Sequence, residues 1–403
     1  MDHRFPDFAR RATHMSIALL ASGALLACGD GATSGTGSDE SPGRAGARAA
    51  AEELRETGFG KYLGAQAPSR AVEDGEWTHY FFDPAEEGAL CLVGGEFQVS
   101  VKDGPSDEVL FYLEGGGACW DYGTCHVANT ATRTANAPVQ SGIVDATRAE
   151  NPFAEFDVVY VPYCDGSVFI GDATVTYGGV RTHHHGLQNL SVAVDALQRH
   201  FPDPERIVVA GSSAGGYGTY AGYGATRVAY PDTPILVFND SGPGVQNVDA
   251  SEDVRNRVAN WNFTKLIPES CTQCSEQYSY LHTWATERDD SLRTALYSYQ
   301  RDSVIGFFLG LSGADYQSLI VSVTDEIVAQ NGGRFARYFP LGSDHTVLLS
   351  RAFYTQMVNG VSLLDWTQAF LDGSDDWGDI VEQDADGSRG RQKPAENTPP
   401  RAP

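Results

Sequence analysis

The stretch from Ile207 to Gly216, I-V-V-A-G-S-S-A-G-G, constrains the fold of this chain more than any other. Ile207 to Ala210 is a short apolar, largely β-branched run that reads as a strand buried on both faces. Gly211-Ser212-Ser213-Ala214-Gly215 follows at once, and Gly216 to Arg227 reads on as a helix. Strand, G-x-S-x-G and helix in that order form the setting of a nucleophile elbow, where only small residues fit around a serine held on so sharp a turn. Ser213, the centre of the pattern, is therefore the candidate nucleophile. The N-terminal dipole of the following helix is aimed at it.

Further strands are expected at Trp77 to Phe82, Ala89 to Val93, Phe97 to Val101, Val109 to Leu113, Val158 to Val161, Ile235 to Phe238, Ala295 to Tyr299 and Ala336 to Phe339. The first few crowd together, which predicts an N-terminal antiparallel extension. The later ones alternate with helical patterns such as Leu187 to Arg199, which predicts an α/β fold with a mostly parallel central sheet and helices on both faces. In such sheets the reactive residues collect on loops at the carboxyl ends of the strands.

A serine needs a base, and the base needs an orienting acid; in α/β-hydrolases they follow in the order serine, acid, histidine. Only His282 and His345 lie beyond Ser213. His282 falls in a helical pattern and reads as packing or surface. His345 directly follows the last strand of the alternating series and is the candidate base. For the acid, Asp302 after Ala295 to Tyr299 is preferred to Asp240 after Ile235 to Phe238, because the acid usually follows the last strand before the histidine. Asp344 adjoins the histidine in sequence, so its side chain points elsewhere.

Early in the chain, Val109 to Leu113 runs into Glu114-Gly115-Gly116-Gly117-Ala118-Cys119-Trp120. A glycine run there lets bare amides approach a developing negative charge. The amides of Gly116, Gly117 and Ala214 are the expected oxyanion donors. A phosphate loop would need a lysine, a following Ser/Thr and a helix, all missing here. His183-His184-His185 diverge on either a strand or a helix, so no metal is expected. No cofactor is expected either. Tyr163-Cys164-Asp165-Gly166-Ser167 either lines the pocket or makes a turn.

The first 27 residues read as a signal peptide, with Arg4, Arg10 and Arg11 ahead of the apolar run Met15 to Leu26. Leu25-Leu26-Ala27-Cys28 resembles a bacterial lipobox, which makes Cys28 the expected lipidation site and a lipid anchor the only expected membrane contact. Residues 28–46 read as a flexible tether, 47–370 as the catalytic domain and 371–403 as a disordered acidic and Pro-rich tail. Export to the bacterial envelope, or secretion, agrees with the remaining six cysteines, an even number suited to an oxidising compartment. Cys119 with Cys125 and Cys271 with Cys274 are the economical local pairs, leaving Cys91 with Cys164. A net charge of −25 repels nucleic acid and disfavours other polyanions unless locally compensated.

Several segments together resemble the pectin acetylesterase and Notum family of serine hydrolases. They are L-E-G-G-G-A-C-W (Leu113 to Trp120), P-Y-C-D-G-S (Pro162 to Ser167), G-S-S-A-G-G (Gly211 to Gly216), F-N-D-S-G (Phe238 to Gly242), Y-Q-R-D-S (Tyr299 to Ser303) and the histidine at 345. The resemblance implies an α/β-hydrolase-like fold, a Ser213–Asp302–His345 triad and carboxylester deacylation of an acylated glycan or small ester. Where the animal members carry a bulky aromatic after the second glycine, this chain has Gly117. A peptidase or acyltransferase using the same triad, and a catalytically silent surface-binding lipoprotein, are the alternatives.

Overall fold

Apolar side chains alternate along the central strands, so each strand needs cover on both faces, and the chain supplies it in two helical layers. The computed structural model describes residues 42–383. Its main sheet has ten strands, introduced here with their neighbours in chain order. An antiparallel start, β1 (Arg70–Asp74), β2 (Trp77–Phe82) and β3 (Phe97–Lys102), leads to β4 (Glu108–Leu113) and β5 (Asp157–Val161). A separate hairpin follows, β6 (Ala173–Tyr177) with β7 (Val180–His184). The main sheet resumes with β8 (Arg206–Ser212), β9 (Ile235–Asp240), β10 (Arg293–Tyr297) and β11 (Phe335–Phe339). A two-residue ladder, β12 (Met357–Val358) with β13 (Val361–Ser362), precedes the last sheet strand, β14 (Ile380–Val381).

The spatial order is β1-β2-β3-β5-β4-β8-β9-β10-β11-β14. Pairings from β1 to β5 are antiparallel, and every pairing from β5 to β14 is parallel. This is the α/β-hydrolase-like arrangement with an N-terminal antiparallel extension. The turns after β4, β5, β8, β9, β10 and β11 therefore leave the sheet at one edge.

Val109, Phe111 and Leu113 of β4 face one layer with Val209 of β8 and Val237 of β9. That layer contains α1 (Pro42–Thr57), α2 (Gly186–His200) and α3 (Ala214–Ala229). Leu110 and Tyr112 face the other way, with Val208, Phe238 and Tyr297. After two short helices, α4 (Glu252–Asn256) and α5 (Leu281–Arg288), come α6 (Ser303–Leu309) and α7 (Gly313–Gln330). Ile320 and Ile327 of α7 cover Leu296 and Phe339. Trp366 and Phe370 of the last long helix, following α8 (Ala352–Thr355) and numbered α9 (Leu363–Asp372), close the second face. Each such side chain taken fully from water contributes about 1.5–3 kcal/mol. Among the described residues no single helix is long and apolar enough to cross a membrane.

The structure corrects four readings of the sequence. Residues 42–46, read as tether, are the first turns of α1, and a Cβ at Gly46 would stand 2.4 Å from the Arg288 carbonyl, so the glycine lets α1 lie on the end of α5. Ala89 to Val93 is a tight turn rather than a strand: Cys91 N–H donates to Gly95 O, Gly94 N–H to Cys91 O, and Gly94 has φ 83°. The strand read to Tyr299 stops at Tyr297, because the next residues bend into the acid-bearing loop. The tail read from 371 is ordered to 383: Trp377 packs on Trp366 and Phe370, Asp379 pairs with buried Arg337, and β14 joins β11. The signal peptide at 1–27, Cys28, residues 28–41 of the tether and the tail beyond 383 lie outside the described residues.

Candidate active site

Ser213 occupies the turn between β8 and α3 with φ 57° and ψ −116°, a region that costs a non-glycine residue strain energy. Its two flanking glycines have separate reasons. A Cβ at Gly211 would stand 2.4 Å from Gly215 O, and one at Gly215 would stand 2.0 Å from Leu113 O. The Ser213 amide donates to the Asp240 carbonyl at 2.8 Å, fixing the turn on β9. Ser212 points into the core instead, where its hydroxyl accepts from Tyr112 and donates to Asp240 Oδ2 at 2.7 Å.

Asp302 is fully buried and caps the start of α6, with Oδ1 accepting from the amides of Val304 (2.9 Å) and Ile305 (3.0 Å). Its other oxygen lies 2.7 Å from His345 Nδ1. The capping amides and the imidazole thus hold the carboxylate from both sides. The loops that carry acid and base are stitched together, Arg301 N–H to Gly342 O and Ser303 N–H to Ser343 O. The remaining imidazole nitrogen, His345 Nε2, is buried without a hydrogen-bond partner among the described residues.

Asp240, the alternative acid, is occupied elsewhere. Besides Ser212 its carboxylate accepts from the amides of Val347 and Leu348, the second and third residues after the histidine. Burial pushes its pKa above the usual carboxylate range, and those hydrogen bonds oppose the rise. Asp344 is exposed.

The glycine loop after β4 passes directly beside the elbow: a Cβ at Gly115 would meet Ser212 O at 2.7 Å and Ser213 Cβ at 3.1 Å. Gly117, at φ 78°, has no room for a side chain because the Thr130 carbonyl would be 2.0 Å away. The amides of Gly116, Gly117 and Ala214 donate to no group among the described residues. The loop is braced by the Cys119–Cys125 disulfide, by Trp261 Nε1 donating to Cys119 O, and by Thr130 Oγ1 donating to Ala118 O. Cys91–Cys164 and Cys271–Cys274 are the other two disulfides.

The remaining candidates are structural. Tyr163 and Asp165 build a buried turn, with Asp165 accepting from the Ser167 amide and Tyr163 OH accepting from the Val168 amide. Burial pushes Asp165 up to about 6. His183 and His185 point to one side and share the Thr174 hydroxyl, with His185 also bonded to the Gly88 carbonyl, whereas His184 points to the other side, to Tyr177 and the Asp165 carbonyl. His282 packs between Tyr220 and Phe335.

A cleft of about 990 Å³ opens at Ser213, walled by Trp120, Tyr217, Val258, Trp261, Ile305 and Phe308 among others. Sequence reasoning missed these. Tyr217 had a signal, since it lies one helical turn beyond the serine. Arg257, also on the wall, had none. A second, apolar cavity of about 810 Å³ shares Val168, Ile170, Tyr217, Phe263 and Tyr278 with the cleft.

The family model described as Pectinacetylesterase matches residues 73–299, more than half of the chain. The chain belongs to the pectinacetylesterase family. The matched region holds Gly116, Gly117 and Ser213 and ends three residues before Asp302. Pectin acetylesterase 11 of Arabidopsis thaliana is 25% identical over 211 residues, 48% of this chain and 54% of that one. Palmitoleoyl-protein carboxylesterase NOTUM of Schmidtea mediterranea is 31% identical over 123 residues, 28% of this chain and 23% of that one. The Homo sapiens NOTUM is 24% identical over 188 residues, 40% and 38%. This pectinacetylesterase family member thus spans about half the length of its plant relatives and less of the animal ones.

Proposed function

We propose that the protein is a serine carboxylester hydrolase that removes an acyl group from an extracellular glycan or small ester. The observation that carries this reading is the contact between buried Asp302 and half-buried His345, 2.7 Å apart, whose free imidazole nitrogen sits at the same sheet edge as the strained Ser213 elbow. Asp302, held by two amides, fixes the imidazole with Nδ1 protonated, so that Nε2 is the basic atom. His345 takes the proton of Ser213 as its oxygen attacks the ester carbonyl. The oxyanion forms against the amides of Gly116, Gly117 and Ala214, which are preorganised and need no rearrangement as charge develops. His345 passes the proton to the departing alcohol. Water, deprotonated by the same imidazole, then cleaves the acyl-enzyme and restores Ser213.

Three disulfides suit an oxidising compartment, and export with a lipid anchor at Cys28 completes the proposal. The test is Ser213→Ala, expected to lower kcat on short-chain 4-nitrophenyl esters by ~10⁶ while the far-UV spectrum and melting temperature stay close to wild type. Wild-type-like turnover by that variant rejects the reading.

A further inference from the structure

Many arginines among the described residues meet a carboxylate, among them Arg48 with Asp232, Arg227 with Asp289 and Arg337 with Asp379. Arg257 does not. Its guanidinium lies 4.4 Å from the centre of the Trp120 ring and donates from Nη2 to the carbonyl of Phe308. Those are its hydrogen-bond and ring contacts, and its remaining donors have no partner among the described residues. With 53 acidic residues against 28 basic ones, acids are abundant, yet no Asp or Glu among the described residues lines the cleft. Partial burial lowers the pKa of Arg257 from the ordinary arginine value.

The place matters as much as the charge. Trp120 ends the glycine loop, Phe308 belongs to the helix that Asp302 caps, and Tyr217 lies one turn beyond Ser213, so Arg257 touches or faces all three walls of the catalytic cleft. Arg255 lines the same cleft and is exposed. Val258, Ile305 and Leu309 make the wall between them apolar. A sugar pressed there would leave hydroxyls unpaired. An apolar spacer that ends in a carboxylate satisfies both the wall and the guanidinium, whose planar donors suit a carboxylate.

We propose that the cleft selects acyl groups that themselves end in a carboxylate, the half-esters of short dicarboxylic acids, with Arg257 as the clamp on the distal carboxylate. This rests on the serine esterase reading above. The acyl group is transferred to Ser213, the alcohol leaves with the proton from His345, and water releases the free dicarboxylate.

Two measurements test it. The first compares kcat/KM for 4-nitrophenyl hexanoate and for the 4-nitrophenyl half-ester of adipic acid, two acyl chains of equal length. Wild type should favour the half-ester by about tenfold or more, the scale of a charge-assisted hydrogen bond, mainly through KM. Arg257→Met should erase that ratio, and Arg257→Lys should restore part of it. A ratio unchanged in Arg257→Met, or a preference instead for acetyl esters of carboxylated alcohols, overturns the proposal. The second is calorimetric binding of adipate to the Ser213→Ala protein, expected to be lost on adding Arg257→Met. Arg257-dependent binding without hydrolysis by wild type would reject the esterase reading and keep the carboxylate site. Adipate binding that ignores Arg257 would reject the site.

Discussion

Ser212 and Ser213 are neighbours in one turn and carry the same hydroxyl, so residue type alone does not separate them. One is buried between Tyr112 and Asp240, the other stands on a strained turn at the cleft. The two acids divide in the same way, since Asp302 reaches the imidazole while Asp240 spends its oxygens on Ser212 and on two backbone amides. Asp302→Asn should therefore lower kcat by ~10⁴, as expected when the imidazole is held in the wrong tautomer, with only a small change in melting temperature. Asp240→Asn should do the reverse, costing about 1–3 kcal/mol of stability for weakened buried hydrogen bonds, with the smaller loss of turnover. Parallel thermal melts and nitrophenyl ester kinetics on the two variants check both halves. A larger kcat loss in Asp240→Asn would reassign the acid. Chain order and strand ends are what singled out the candidate serine, histidine and preferred acid in the sequence. Arg257 was not singled out, because its neighbours in sequence carry no periodic pattern and its meaning comes from Trp120 and Phe308, which are remote from it along the chain on either side.

At the scale of elements, long apolar strands between helices were readable from periodicity, and β4, β8, β9 and β11 fall within two residues of expectation. The hairpin β6–β7 was missed although A-T-V-T-Y-G-G-V-R-T-H-H alternates around a Gly-Gly turn, the ordinary hairpin signal. β1 is exposed along its whole length and offers no apolar pattern, and β14 is too short to announce itself. Element packing also sets the acid limit of the fold. Burial holds His184 down to about 4, and His282, between α3 and β11, down to about 3. The unfolded chain takes up these protons near pH 6.5 and the folded one does not. The contribution of these two groups to stability is therefore full above about pH 6.5 and falls as the pH drops, through about 4 for His184 and about 3 for His282. His282→Phe, which keeps an aromatic against Tyr220 and Phe335, should flatten that fall. Melting temperatures between about pH 7.5 and 4.5 measure it, and equal slopes for variant and wild type would count against the assignment.

For the molecule as a whole, a net charge of −25 surrounds a cleft that carries two arginines and no acid among its described lining residues. Long polyanionic substrates meet the outer field before the cleft, whereas a small half-ester meets chiefly the cleft. Deacetylation of an acidic polysaccharide should accordingly speed up as salt rises from about 10 to about 150 mM, with the screening length shrinking from about 30 to about 8 Å, while a neutral acetylated polysaccharide responds little. Acetate release at both ionic strengths decides this, and equal salt responses would remove the surface field as a selector. Asp240 has a wider consequence. It joins the strand that ends at the candidate nucleophile to the segment that follows His345, and on that side it grips only main-chain N–H groups. Main-chain amides belong to every residue except proline, so the letters around position 345 are released from the duty of alignment. A searcher scanning for a histidine signature there is looking for a word that the molecule has no need to spell.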